Sequence, residues 1–302
     1  MALERPYQPP IRSLLYVPGN KLDWMLKAPQ YGADALIFDL EDAVPANLKL
    51  ATRATVRQAI DQIGPLGRPR LFVRINDIRT GLAQGDLEAI VAPGLFGVQA
   101  PKTEEPEEVK QLDAWLAELE LRAGLPVGQT FLMPLIESAQ GVRQAYEIAM
   151  AAARVGYMMG GAGGSIGDIA RSVGFREVTG LETAYITSKV LLDARAAGIT
   201  NPCGGLVSMN IRDLDAVRDR AVRTRNFGYM GVNLIHPSHV SIANEVFGPS
   251  QADIDYWTGL VAAVEEGERR GTSAVVYDGR MVDIAHANFA REMLQRAAEY
   301  SA

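Results

Sequence analysis

The stretch ALIFDLED, residues 35–42, decides how the fold reads. Its apolar residues do not alternate with polar ones, so both faces of the strand are covered, as in a parallel sheet clad by helices. The run then closes on charge, which is seldom buried unless it is paired or bound to a metal. The same pattern recurs downstream. LFVR at 71–74 closes on Arg74, FLMPLIE at 131–137 closes on Glu137, and YMMGG at 157–161 leads through glycines to Asp168. Glu41, Asp42, Arg74, Glu137 and Asp168 thus stand at or just past the C-terminal ends of apolar strands. That is where a closed barrel of parallel strands gathers its active-site residues.

Working outward, strands are expected at 13–17, 35–40, 71–75, 97–100, 131–136, 156–159, 205–209 and 232–235, with helical stretches such as 107–120, 142–153 and 181–197 between them. Strand and helix alternate about eight times over roughly 240 residues, which favours a (β/α)8 TIM barrel over a doubly wound sheet. Pro134 predicts a bulge in the fifth strand, because proline donates no ladder hydrogen bond. After residue 235 the pattern changes. Phe247, Gly248, Pro249 and Ser250 break the chain, Ser250 is placed to cap a helix, and Ile254, Trp257, Val261 and Val264 recur at helical spacing. A second helix is expected over about 286–299. Residues 1–247 therefore read as the barrel, and 248–302 as a C-terminal helical extension that covers a barrel mouth or reaches a neighbouring subunit.

Composition narrows the chemistry. The net charge is −6 and no basic tract occurs, which argues against nucleic acid as a partner. An anionic substrate would be met by local Arg and Lys. The single cysteine, Cys203, leaves no internal disulfide framework and no thiolate-rich zinc site, and reads as a small buried residue. The N-terminus lacks the apolar core of a signal peptide, and no window reaches the roughly 18 apolar residues of a membrane span, so a cytoplasmic protein is expected. With only three histidines, His236, His239 and His286, a metal held by carboxylates would be a hard cation, Mg²⁺ before Ca²⁺ or Mn²⁺.

Each candidate residue has a structural alternative. Glu137 and Asp168 either share one Mg²⁺, or each caps a following helix. Arg74 either clamps a substrate carboxylate or oxyanion, or pairs with Glu41 or Asp42. Glu41 and Asp42, being adjacent, would face opposite ways on a strand, so both reach one site only with a local turn. The glycine run 160–164 lacks the pattern of a phosphate loop and reads as a barrel loop where backbone approaches a ligand. His236 either contacts substrate or makes a structural hydrogen bond.

Taken together, RSLLYVPGN (12–20), DLEDAVPANLKLATR (39–53), VRIN (73–76), APK (100–102), IESAQGV (136–142), GDIARSVG (167–174), GVNLIHPSHV (231–240) and YDGRMVD (277–283) resemble the citrate lyase beta-subunit-like family of the HpcH/HpaI aldolase superfamily. That family includes malyl-CoA, citramalyl-CoA and citryl-CoA lyases. The segments span almost the whole chain in family order.

The resemblance implies a (β/α)8 barrel, a Mg²⁺ ion, a CoA thioester as substrate and a homotrimer or homohexamer. It implies Glu137 and Asp168 as metal ligands and Arg74 at the keto-acid oxygen. Glu41 and Asp42 would lie in the outer shell with Lys49 as their partner. Arg12 and Lys102 would be near the CoA phosphates or pantetheine, and Asp283 would be a catalytic acid in a segment that swings in from a neighbouring subunit. The implied reaction is reversible Claisen cleavage of a 3-hydroxyacyl-CoA to acetyl-CoA and a 2-oxo acid. Alternatives are a citrate lyase beta subunit acting on an acyl-carrier-protein thioester, a non-catalytic acyl-CoA or keto-acid-binding barrel, and a CoA-independent aldolase. The chain departs from the family in three places. Extra residues precede Asp168, so that Gly163 would take the ligand position without a gap. NPCGGLVSM stands where an aspartate is usual, and His239 replaces a glutamine.

Overall fold

The computed structural model describes residues 3–161, 167–175, 181–205 and 209–301. The chain divides into two compact units, 1–244 and 245–302. The first unit is a closed barrel of parallel strands in sequence order: β1 Ser13–Pro18, β2 Ala35–Asp39, β3 Arg70–Arg74, β4 Gly97–Ala100, β5 Phe131–Ile136, β6 Met159–Gly160, β7 Cys203–Gly204 and β8 Gly231–Leu234. β8 closes on β1 with Leu14 beside Asn233. The (β/α)8 reading of the sequence is therefore correct.

The barrel interior is filled by side chains. Ile37, Phe72, Met133, Tyr157 and Met159 belong to one buried cluster, and the rings of Phe72, Phe96, Phe131 and Tyr157 meet with centroids 5.0–6.0 Å apart. Such ring contacts add to plain burial, and the interior is solid core rather than a pore. Cys203 is fully buried in the same cluster, as a small apolar residue would be.

Four local expectations need correction. Pro134 is not bulged: it sits in register opposite Ala100 of β4. The irregularity lies on its other side. Leu132 bridges Val155 and Leu135 pairs with Met159, so three steps along β5 face four along the next segment. The slip falls beside the proline, where no N–H is available to keep the ladder. It also shortens β6, expected at 156–159, to two residues. The seventh strand, expected at 205–209, is Cys203–Gly204, and positions 206–208 lie outside the described residues. The expected helix 142–153 is two helices, Ala139–Arg143 and Ala145–Met150, meeting at Gln144. The Gln144 side chain is drawn off to the Glu104 carbonyl and the Glu105 carboxylate.

The second unit has its own core. Helix Gln251–Arg269 begins with a capping box between Ser250 and Asp253, and packs on helix Ile284–Ser301. Between them, β9 Ala274–Tyr277 and β10 Arg280–Asp283 form a hairpin. Its two-residue turn puts Asp278 and Gly279 at φ +47° and +71°, as a type I′ turn requires. Gly259 and Gly267 of the first helix admit the hairpin. A Cβ there would lie 2.0 Å from the Tyr277 hydroxyl and 2.3 Å from Val275.

Candidate active site

The site begins with a residue the sequence reading passed over. Asp39 is the last residue of β2, is in register with Arg74 at the end of β3, and is buried. Arg74 donates to it in a two-pronged fork, Nε to Oδ1 at 2.7 Å and Nη2 to Oδ2 at 2.5 Å. The same carboxylate accepts from the backbone N–H groups of Glu41 at 2.8 Å and Ala43 at 2.9 Å. Those two bonds supply the turn that adjacent acids need to reach one site. Glu41 Oε2 lies 3.1 Å from Arg74 Nη1, and Asp42 Oδ2 lies 3.9 Å from it. Arg74 stacks over the Tyr16 ring at 4.9 Å, and the Tyr16 hydroxyl donates to the buried Gln99. Burial opposes the charge on Arg74, but Asp39 and Glu41 more than restore it. The guanidinium is thus fixed in place and stays charged.

Lys102 follows β4 with φ +51°, a left-handed conformation that costs a non-glycine residue roughly 1–2 kcal/mol. That turn aims its N–H at Glu137 Oε1, 2.9 Å away. Its Nζ lies 2.5 Å from Glu41 Oε1, 3.4 Å from Asp42 Oδ1 and 3.7 Å from Asp168 Oδ2. Two expectations change here. Lys102 lies within the acid cluster, and Lys49 is not the acids' side-chain partner. Lys49 Nζ donates instead to the backbone carbonyls of Leu40 and Glu41 and to Asn76 Oδ1, tethering the chain where it leaves β2.

Glu137 follows β5, and Asp168 opens helix Asp168–Val173. Glu137 is not the cap of its following helix, because the Ser138 side chain accepts that N–H. Burial pushes the Glu137 carboxyl up to about 7, with the negative charges of Glu41 and Asp168 adding to the shift. Burial also raises Glu41, against the pull of Arg74 and Lys102. Among the described residues Glu41 Oε2 is buried with no hydrogen-bond partner, although Arg74 Nη1 stands 3.1 Å away. Among the described residues five carboxylates (Asp39, Glu41, Asp42, Glu137 and Asp168) thus surround two cations, Arg74 and Lys102. The excess negative charge and all-oxygen donor set fit a hard divalent cation. Among the described residues no three His, Cys, Asp or Glu side chains are grouped to hold a metal by themselves. The fit is therefore to two carboxylates, with water or substrate oxygens completing the shell.

Asp39, Asp42, Arg74, Glu137 and Asp168 line a cleft of about 470 Å³ at the C-terminal mouth of the barrel. Gly160, Gly161 and Gly167 also line it. Gly161 and Gly167 have φ of +100° and +124°, which side-chain-bearing residues rarely adopt. Ala162, Gly163 and Gly164 of the glycine run lie outside the described residues.

Arg12 is not brought to this mouth. It precedes β1, and both its N–H and its guanidinium bind Asp34, which precedes β2, at 2.8–2.9 Å. In a parallel barrel that is the opposite, N-terminal rim, so the expected contact to the CoA phosphates is replaced by a rim salt bridge. His236 takes its structural alternative: Nδ1 lies 2.7 Å from Ser238 Oγ and caps the short turn Pro237–His239. His239 is buried against the Ile211 carbonyl. Asp283 belongs to the 245–302 unit. Its Oδ1 accepts from the N–H groups of Ala285 and His286 and pairs with His286 Nδ1 at 2.7 Å, and these bonds hold its carboxyl below the usual range. Among the described residues no helix is long and apolar enough to cross a membrane.

Known proteins resemble this chain in sequence and in shape. It is 33% identical over 272 residues to a citrate lyase subunit beta of Leuconostoc mesenteroides subsp. cremoris, covering 90% of this chain and 88% of that protein. It is 34% identical over 294 residues to a (3S)-malyl-CoA thioesterase of Cereibacter sphaeroides, covering 97% and 96%. In structure it is similar to a Mycobacterium tuberculosis CitE protein in complex with magnesium, acetoacetate and coenzyme A. The TM-score is 0.71 at 27% identity, covering 96% and 98% of the two chains. Residues 12–237 match the family described as HpcH/HpaI aldolase/citrate lyase, and the chain belongs to that family.

Proposed function

We propose that this protein is a Mg²⁺-dependent carbon–carbon lyase that cleaves a 3-hydroxyacyl-CoA of the malyl, citramalyl or citryl type, reversibly, to acetyl-CoA and a 2-oxo acid. The observation that carries this reading is the pair Glu137 and Asp168, at the mouth of a cleft where carboxylates outnumber cations and burial holds Glu137 near 7. Support comes from the similar structure that contains magnesium, acetoacetate and coenzyme A. Glu137 and Asp168 would hold the ion, which when bound supplies Lewis-acid stabilisation of oxygen charge.

The chain's own residues do the rest. The hydroxyl gives up its proton to a cleft carboxylate or water, the bond between the thioester α-carbon and the hydroxyl-bearing carbon breaks with its electron pair passing to the α-carbon, which then takes up a proton, and the hydroxyl oxygen becomes the new carbonyl. In the reverse direction charge grows on that oxygen, and Arg74, already oriented by Asp39 and Tyr16, is placed to stabilise it. Lys102 and Glu41 keep the neighbouring carboxylates apart and oriented. Asp283 is assigned the proton exchange at the acetyl-CoA carbon, as the family resemblance implies, and the 245–302 unit is assigned the role of lid or subunit contact in a homotrimer or homohexamer.

A screen of glyoxylate, pyruvate and oxaloacetate with acetyl-CoA or propionyl-CoA, read by thioester mass, tests the reading. A magnesium-dependent condensation product is expected. No product from any pair would leave the non-catalytic alternative standing. The relatives named malyl-CoA thioesterase favour a second reading, hydrolysis of the thioester. Incubation with malyl-CoA separates the two: cleavage gives glyoxylate and acetyl-CoA, hydrolysis gives malate and CoA. Product formation only from an acyl-carrier-protein thioester would instead match the relatives named citrate lyase subunit beta.

A further inference from the structure

In the closed strand order β8 stands across the ring from β4. The acids and cations of the site come from the ends of β2 to β6, on one side of the mouth. The other side, from β7, β8 and β1, brings Gly205, Met209, Ile235 and Pro18 to the cleft. Tyr16 is there too, but its hydroxyl is committed to Gln99. Asn233 of β8 interrupts this apolar wall. It lines the cleft, is only 7% exposed, and its Oδ1 is buried with no hydrogen-bond partner among the described residues.

A buried carboxamide oxygen left unpaired is costly, and such groups in native proteins call for a reason. Leucine is nearly isosteric with asparagine and would fill the same wall at no such cost. Among the described residues nothing pairs with Asn233 Oδ1, and Asn233 lines the cleft, so a ligand in the cleft is the nearest source of a partner.

We propose that Asn233 reads a hydroxyl carried on C3 of the 2-oxo acid, so that the preferred acid half bears a hydroxyl there rather than a bare alkyl group. The oxo-acid head lies on the charged side, against Arg74, and C3 points across the mouth to β8. A carboxamide offers a donor or an acceptor according to its rotation, so it complements a hydroxyl in either sense. A site built to hydrogen-bond an oxygen discriminates strongly against the analogue that lacks it. This inference rests on the lyase reading for the placement of the oxo-acid head.

Equilibrium binding tests it without turnover. Hydroxypyruvate and 2-oxobutyrate differ at C3 by OH against CH₃, and each is titrated calorimetrically into the full-length protein with magnesium. Wild type is expected to prefer hydroxypyruvate by tenfold or more. Asn233→Leu should bring the ratio close to one while keeping 2-oxobutyrate affinity, which serves as its folding control, and its melting temperature should be unchanged or higher. Asn233→Ala provides a second variant with the same expected loss of preference. An unchanged ratio in both variants, no preference in wild type, or a uniform loss for both acids would overturn the assignment. Preference without any thioester product would refute the lyase reading and leave Asn233 as a C3 reader. Failure of wild type to bind either acid would refute both.

Discussion

Two groups of buried charge sit at opposite ends of the same barrel, and they differ in whether their charges are matched. At the N-terminal rim Arg154, 3% exposed, pairs with Glu120 at 2.9 Å and Asp113 at 2.5 Å and donates to the Thr130 carbonyl. Glu120 accepts in turn from the Gly128 and Thr130 N–H groups. Burial pushes the Glu120 carboxyl up, but Arg154 and those two N–H groups outweigh it and hold the carboxyl below its ordinary value. At the C-terminal mouth the balance goes the other way: burial raises both Glu41 and Glu137. Matched charge holds a fold together, whereas charge left unmatched in a cleft marks a place where a ligand completes the set.

Removing acids from each end should therefore give opposite results. Glu137→Gln or Asp168→Asn is expected to lower magnesium-dependent thioester turnover by roughly a thousandfold or more, on the scale of losing a transition-state charge stabiliser. In chemical denaturation without magnesium either variant should be as stable as wild type, or more so, because the cluster as a whole carries more negative than positive charge. Full activity in either would remove it from the metal assignment. Glu120→Gln should do the reverse. Leaving Arg154 short of a buried partner is expected to cost about 3 kcal/mol of unfolding free energy while kcat stays within a factor of about two. Equal destabilisation by both kinds of variant would erase the distinction between the two ends.

Asp39 belongs to both kinds, being fully satisfied yet inside the site. Asp39→Asn keeps the shape but weakens the fork that orients Arg74. Turnover is expected to fall by about ten- to a hundredfold, less than for the ligand variants, with KM for the oxo acid rising. Normal kinetics would mean that Tyr16 and Glu41 hold Arg74 without it.

Asp39 also shows what the sequence hides. The strand-end charges after ALIFDL, LFVR and FLMPLI were legible because apolar runs closed by charge follow from burial alone. So was the barrel, because helix and strand alternate visibly. Asp39 escaped notice because it lies inside the apolar run, next to two more conspicuous acids, and its partner is set by cross-strand register. Which lysine meets the acids is hidden for the same reason: Lys49, ten residues past β2, opens a helix and tethers the backbone, and only the left-handed turn at Lys102 brings an amine to the carboxylates. Arg12 was misplaced because a motif does not state which rim its first residue occupies. β7 was set several residues late because two paired residues, Cys203 and Gly204, carry no apolar run, whereas Gly205 to Met209 do.

The smallest expected effect turns on the sign of the N-terminal network. Glu120 has a folded value below its ordinary 4.5, so its pairing with Arg154 stabilises the protein fully above 4.5 and loses that contribution as pH falls through the folded value. The Glu120→Gln variant has no such proton to bind at this position. Its stability deficit relative to wild type should therefore be constant from neutral pH down to about 5 and shrink below 4.5. Denaturation curves of both proteins from pH 7 to pH 3 read this directly. A deficit that stays flat into acid would mean that the Glu120 oxygens act through the Gly128 and Thr130 hydrogen bonds alone. The charge on Arg154 would then be matched by Asp113, and the contrast between the two ends of the barrel would rest on hydrogen bonding rather than on charge.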